Sequence, residues 1–299
     1  MDSPRHSTRS RQTLPASLRF DAIGCPWQID TLEPLDDATV DELNARIEAF
    51  DVTYSRFRDD SLISRIEREP GVHAFPDDAA ALFETYRKLY SATNGAMSPL
   101  VGAVLSDLGY DRAYSLHDSG RGTRAPAWDE AFAWDGRSLT TVRPVSVDVG
   151  AAGKGYLVDL LGEILVRRGI DEFTIDGSGD ILQHGPSELR VGLEHPLDTT
   201  RAIGISVIAN QAICASASNR RAWGSGLHHI VDATTGLPTT RIIATWAVAE
   251  TALAADALST ALFFADPARL ETEFDFEWVR MYATGRVEFS PQLNGELFT

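Results

Sequence analysis

The stretch VDVGAAGKGYLVDLLGEILVRRGIDEFTIDGSGDI, Val147 to Ile181, decides how the chain is read. Val145 to Val149 is a short apolar run, and Gly150 to Gly155 then places three glycines in six residues. From Leu157 to Arg168, Leu157, Leu160, Leu161, Ile164 and Leu165 recur at helical spacing, with Arg167 and Arg168 in the last turn and Gly169 as the stop. A strand at Phe173 to Ile175 and a second loop of small residues, Asp176-Gly-Ser-Gly-Asp180, follow. The order is strand, glycine loop, helix, strand. A helix opening from a loop without bulky side chains has unpaired N–H groups that can meet phosphate oxygens; the same glycines also suit ordinary tight turns.

Outward from this stretch the periodicities mix. Leu18 to Thr31 reads as a strand interrupted at Gly24 and Pro26. Asp37 to Tyr54 reads as an amphipathic helix on Val40, Leu43, Ile47 and Phe50, and Leu62 to Arg68 as a short one. A further helix, Asp77 to Asn94, buries Leu82, Phe83, Tyr86, Leu89 and Tyr90 and ends at Gly95. Trp134-Asp-Gly-Arg137 has the form of a hairpin turn. On the C-terminal side, Leu189 to Leu193, Ile203 to Ala209 and Ile242 to Ala249 alternate as strands. Thr251 to Phe264 is helical, and Trp278 to Ala283 and Val287 to Phe289 form a hairpin at Thr284-Gly285. Without strict βαβ alternation the expected class is α+β rather than a doubly wound sheet.

With 299 residues and 43% apolar content the chain can bury a substantial core. Its formal net charge of −16 argues against a nucleic-acid or anionic-membrane partner, since both require a basic face. An anionic ligand would need local help from a cation or from backbone dipoles. Cys25 and Cys214 are too few for a disulfide framework or a cysteine zinc site. Residues 1–16 are polar and basic, lacking the apolar centre of a secretory signal, and no later run is long enough to cross a bilayer. The expectation is a cytoplasmic protein with a disordered tail over 1–16 and a folded unit over 17–299.

Three clusters could carry chemistry. Asp256 and Thr260 lie one helical turn apart, so both oxygens project from one otherwise small and apolar face. A hard cation such as Mg²⁺ is a natural partner for that pair, with a backbone carbonyl near Gly153 as a third oxygen. Alternatively, Thr260 bonds back to the carbonyl four residues earlier while Asp256 pairs with an arginine. In His228-His-Ile-Val-Asp-Ala-Thr-Thr-Gly-Leu-Pro238, adjacent histidines on a strand face opposite sides, so at most one serves a given site as a proton acceptor; either could equally be satisfied by the core. In Cys214-Ala-Ser-Ala-Ser-Asn-Arg-Arg-Ala-Trp223, small residues permit close approach of a ligand and the arginines could answer a phosphate, or the segment is a surface bend with a salt bridge.

In this order the stretches resemble the ApbE family, the FAD:protein FMN transferases, from about Phe20 to Phe264. The carriers are Asp148-Val-Gly-Ala-Ala-Gly-Lys-Gly-Tyr-Leu-Val-Asp159, Ser178-Gly-Asp-Ile181, His228 to Pro238 with Ala233 in place of a proline, and Ala255-Asp-Ala-Leu-Ser-Thr-Ala-Leu262. The resemblance implies an α+β fold of duplicated T-fold-like units forming one two-lobed domain, a Mg²⁺ site and FAD as donor. It implies transfer of FMN to a threonine or serine hydroxyl of an acceptor flavoprotein, with release of AMP. By the same resemblance Asp256, Thr260 and Gly153 are the metal ligands and His229 helps to deprotonate the acceptor hydroxyl. The FAD cleft would draw on Ile23, Phe57, Ala96, Met97, Ser98, Tyr156, Asp159 and Ile230. The chain departs from the family at Ala215 and Ala217 beside Ser216, at Met97 to Leu100, at Glu67 and at Cys25. The competing activities are hydrolysis of FAD to FMN and AMP at the same site, and flavin binding without chemistry.

Overall fold

The structure is a computed structural model that describes residues 14–298. Strand β1 begins at Ala16, where the expected 1–16 tail meets the folded unit, and residues 1–13 of that expectation lie outside the described residues. No described helix is long and apolar enough to cross a membrane.

The elements that place the site are eleven strands and four helices. The strands are β1 (Ala16–Ala22), β2 (Cys25–Thr31), β3 (Phe173–Asp176), β4 (Ile181–His184), β5 (Leu189–Glu194) and β6 (Ala202–Ile208). They continue as β7 (Ala212–Ala217), β8 (Ile242–Ala249), β9 (Glu277–Tyr282), β10 (Val287–Phe289) and β11 (Gly295–Leu297). The helices are α1 (Asp37–Tyr54), α2 (Ala79–Ala92), α3 (Gly153–Arg167) and α4 (Ala252–Ala261). One antiparallel sheet runs β1-β2-β3-β4-β7-β8-β9-β10, and a second runs β11-β6-β5. The α+β expectation holds.

Alternation along the central strands builds two apolar layers, because successive side chains leave a strand on opposite faces. Ala212 and Cys214 of β7, with Ala247 and Ala249 of β8, join the helices in the larger core. Ile213, Trp246 and Val248 point the other way and pack with Leu189, Leu193, Ile203 and Ile208 of the second sheet. The cores are buried on both faces of the same strands.

Two local expectations need correction. Leu18 to Thr31 is not one interrupted strand but a hairpin, with Ala22 opposite Cys25. Ile23 and Gly24 turn it at φ of 43° and 78°, the paired positive values that match the twist of flanking strands. Val145 to Val149 carries buried valines, but among the described residues it joins no sheet. It is anchored by Asp148, whose N–H donates to the Pro99 carbonyl at 2.8 Å. An apolar run reports burial; it does not report a neighbouring strand.

Candidate active site

Helix α3 starts at Gly153, inside the expected loop, and its first turn is where the site is assembled. The Gly155 N–H donates to Asp256 Oδ2 at 2.9 Å, so the anion held at this helix terminus is a carboxylate of the protein itself. A Cβ at Gly155 would lie 2.6 Å from Asp256 Cβ and closer still to the Ala252 carbonyl, which is why α3 and the alanine-rich α4 can cross at this point. Asp159 serves the same contact. Its two carboxylate oxygens accept from the N–H groups of Ala252 and Leu253, each at 2.8 Å, capping α4 from α3.

Asp256 is 3% exposed. Burial first, then the charge of Asp180, pushes its carboxyl up to about 7. Asp180 is itself fully buried and ion-paired with Lys154, and its Oδ1 has no hydrogen-bond partner among the described residues. The alternatives open to Asp256 and Thr260 are not taken. The Asp256 carbonyl accepts from the Ser259 hydroxyl at 2.8 Å, the Thr260 hydroxyl lies 3.3 Å from Ser216 Oγ instead, and no arginine salt bridge to Asp256 is present among the described residues.

Among the described residues no group of three or more His, Cys, Asp or Glu is placed to hold a metal ion. Mg²⁺ is commonly held by one or two carboxylates while substrate phosphates and water complete its shell. A desolvated carboxylate and a hydroxyl lining the same cavity are hard oxygen donors of the kind such a cation takes.

One cavity of about 980 Å³ gathers these groups. Ile23, Phe57, Ala96, Met97, Ser98, Gly153, His229, Ile230, Asp256 and Thr260 all line it. Tyr156 and Asp159, expected at the FAD cleft, do not. Tyr156 is buried among Phe50 and Tyr54 and donates to Asp78 at 2.8 Å, and Asp159 is committed to the α4 cap.

The two histidines divide their roles. His228 Nδ1 accepts from the Ile230 N–H at 3.2 Å, so Nε2 carries the proton and donates to the Thr239 carbonyl at 2.8 Å. It is satisfied internally. His229 lines the cavity, and its buried Nδ1 has no partner among the described residues. Burial, reinforced by the positive charge of Arg221, lowers it to about 3. The folded protein thus keeps a neutral imidazole where the unfolded chain takes up a proton below about 6.5. Stability from this group is present above about pH 6.5 and is lost as pH falls toward 3. A His229→Asn variant, without ligand, is expected to lose less stability than the parent between pH 7.5 and 4.5; urea midpoints would check this, and parallel pH curves would contradict it.

Sequence reasoning missed several lining groups. Arg56 pairs with Asp148, donates to the Tyr110 carbonyl at 2.5 Å and lies 4.3 Å over the Phe57 ring. Phe57 and Tyr114 stack at 5.1 Å and 6°, and Tyr110 stacks on Trp223 at 5.8 Å and 21°. The aromatic residues flanking Arg56, and charged Lys154 in a loop otherwise made of small residues, were the available signals.

A family model described as the ApbE family matches residues 23–275. The FAD:protein FMN transferase of Klebsiella pneumoniae (strain 342) is 23% identical over 274 residues, 83% of this chain and 78% of that protein. The one from Treponema pallidum (strain Nichols) is 27% identical over 263 residues, 76% of this chain and 71% of its own. Among solved structures, the ApbE protein of Thermotoga maritima superposes with a TM-score of 0.78 at 21% identity, covering 92% of this chain and 97% of that one. The flavin transferase ApbE from Vibrio cholerae gives 0.76 at 21% identity, with the same coverage. The structural likeness shows a shared fold, and with the family match running through both glycine loops, the histidine pair and helix α4, the chain belongs to the ApbE family.

Proposed function

We propose that this cleft binds FAD together with Mg²⁺ and transfers FMN to a threonine or serine hydroxyl of an acceptor flavoprotein, releasing AMP. The observation that carries the reading is the gathering of Asp256, Thr260, Gly153 and His229 on one cavity of about 980 Å³. The names of the relatives support it. Stacked aromatic pairs on the walls suit planar heterocycles. Mg²⁺, held by the Asp256 carboxylate, the Thr260 hydroxyl and the Gly153 carbonyl, would neutralise charge on the phosphate oxygens.

The chain's own groups do the rest. The acceptor hydroxyl oxygen bonds to the phosphorus of the FMN half, the phosphoanhydride bond to AMP breaks, and the hydroxyl proton passes to His229. A neutral imidazole can take that proton, and its unpartnered Nδ1 has no protein group to displace. A neighbouring diphosphate raises its basicity through its negative charge. The cavity walls hold the donor in line for displacement and keep bulk water from competing.

Incubation with FAD, Mg²⁺ and a threonine-bearing acceptor flavoprotein is expected to give a covalently fluorescent acceptor and AMP in equal amounts. Free FMN with unmodified acceptor would replace the reading with FAD hydrolysis. Unchanged FAD would leave only binding.

A further inference from the structure

Helix α4 and strand β7 meet through three hydroxyl groups whose proton directions can be worked out. Ser216 Oγ lies 2.7 Å from Ser259 Oγ and 3.3 Å from Thr260 Oγ1. A hydroxyl has one proton to give. The Ser259 proton goes to the Asp256 carbonyl at 2.8 Å, so the proton in the Ser216–Ser259 bond comes from Ser216. Having given it, Ser216 can only accept from Thr260. The Thr260 proton therefore points at Ser216, and the lone pairs of its oxygen are left for the cavity that Thr260 lines.

We infer that Ser216 is a positioning residue: through the relay Thr260 to Ser216 to Ser259 to the Asp256 carbonyl it fixes the Thr260 hydroxyl as an acceptor facing the cleft, the orientation a cation requires. The inference rests on the Mg²⁺ reading of the same site. The frame that holds the relay is rigid. Ser216 stands opposite Thr245 in the β7–β8 ladder, and the Thr245 hydroxyl donates to the Ser259 carbonyl at 2.5 Å, tying both strands to α4. In a Cys214 to Ala217 stretch of otherwise small side chains, the one hydroxyl kept is the one the relay needs.

The test is Mn²⁺ affinity of the full chain in the presence of FAD, read from the electron paramagnetic resonance of free Mn²⁺. Loss of an outer partner of a metal ligand typically costs about 10- to 100-fold in affinity. Ser216→Ala and Ser259→Ala are each expected to weaken Mn²⁺ by about tenfold, and the double variant by no more than either single one, because both break one chain. Ser216→Thr restores the hydroxyl and is expected to keep the parent affinity at an unchanged Tm. Unchanged affinity in a folded Ser259→Ala protein, or additive losses in the double variant, would overturn the relay. Asp256→Asn is the control: if it too leaves Mn²⁺ affinity unchanged, the metal reading falls first and takes the relay with it.

Discussion

A Gly155→Ala protein is expected to lose about 3 kcal/mol or more of stability, the upper end of what an added methyl in a packed interior costs. The new Cβ would sit 2.6 Å from Asp256 Cβ and nearer still to the Ala252 carbonyl oxygen, so its neighbours are helix backbone and a residue fixed by hydrogen bonds. Neither can yield without moving α3 away from α4. For a chain of this size that loss lowers the melting temperature by roughly 6–12 °C. Gly192→Ala is the matched comparison, because there a Cβ meets nothing closer than the Ala202 methyl at 4.0 Å. Calorimetry on the two variants should show a large shift for the first and almost none for the second. Equal shifts would mean that the α3–α4 crossing has room to spare.

Asp256→Asn is expected to separate stability from function. Transfer should fall by about 10³-fold, the scale seen when one preorganised electrostatic group is removed from a phosphate- or oxyanion-stabilising site. The ligand-free protein should keep its stability at pH 8 or gain some. Asparagine can still accept from the Gly155 N–H, while the buried charge, which desolvation and Asp180 both oppose, is gone. A variant that unfolds instead would show the carboxylate to be structural; one that turns over at the parent rate would remove it from the chemistry.

Local periodicity made much of the fold legible. The helices Asp37–Tyr54 and Leu62–Arg68 have the bounds that apolar spacing and flanking polar residues imply. What spacing could not carry was partnership. The turn at Ile23-Gly24 lacks the Asn-Gly signal of a two-residue hairpin, because a β-branched residue occupies a left-handed position. Val145 to Val149 is as apolar as a strand, yet its hydrogen bonds run to Pro99, to Arg56 and into the first turn of α3 rather than to a neighbouring strand. The placement of β4 beside β7, with the β5–β6 hairpin between them in sequence, is a long-range pairing that no window reveals.

The site divides in the same way. Asp256 and Thr260 could be placed together because four residues make just over one helical turn. Asp159 could not be separated from them: a carboxylate that caps a distant helix looks, in sequence, like one that meets a ligand. Lys154 with Asp180, Arg56 with Asp148, and Ser216 with Thr260 are contacts between residues far apart in the chain. Folding alone brings them together.

The central claim is that one cation on Asp256 and Thr260 holds the FAD diphosphate in the cleft. A crystal of the full chain soaked with FAD and Mg²⁺ tests it directly. The account predicts a metal peak about 2.0–2.1 Å from the Asp256 carboxylate, the Thr260 hydroxyl and a diphosphate oxygen. A diphosphate bound elsewhere, or a metal that leaves either side chain untouched, would contradict it.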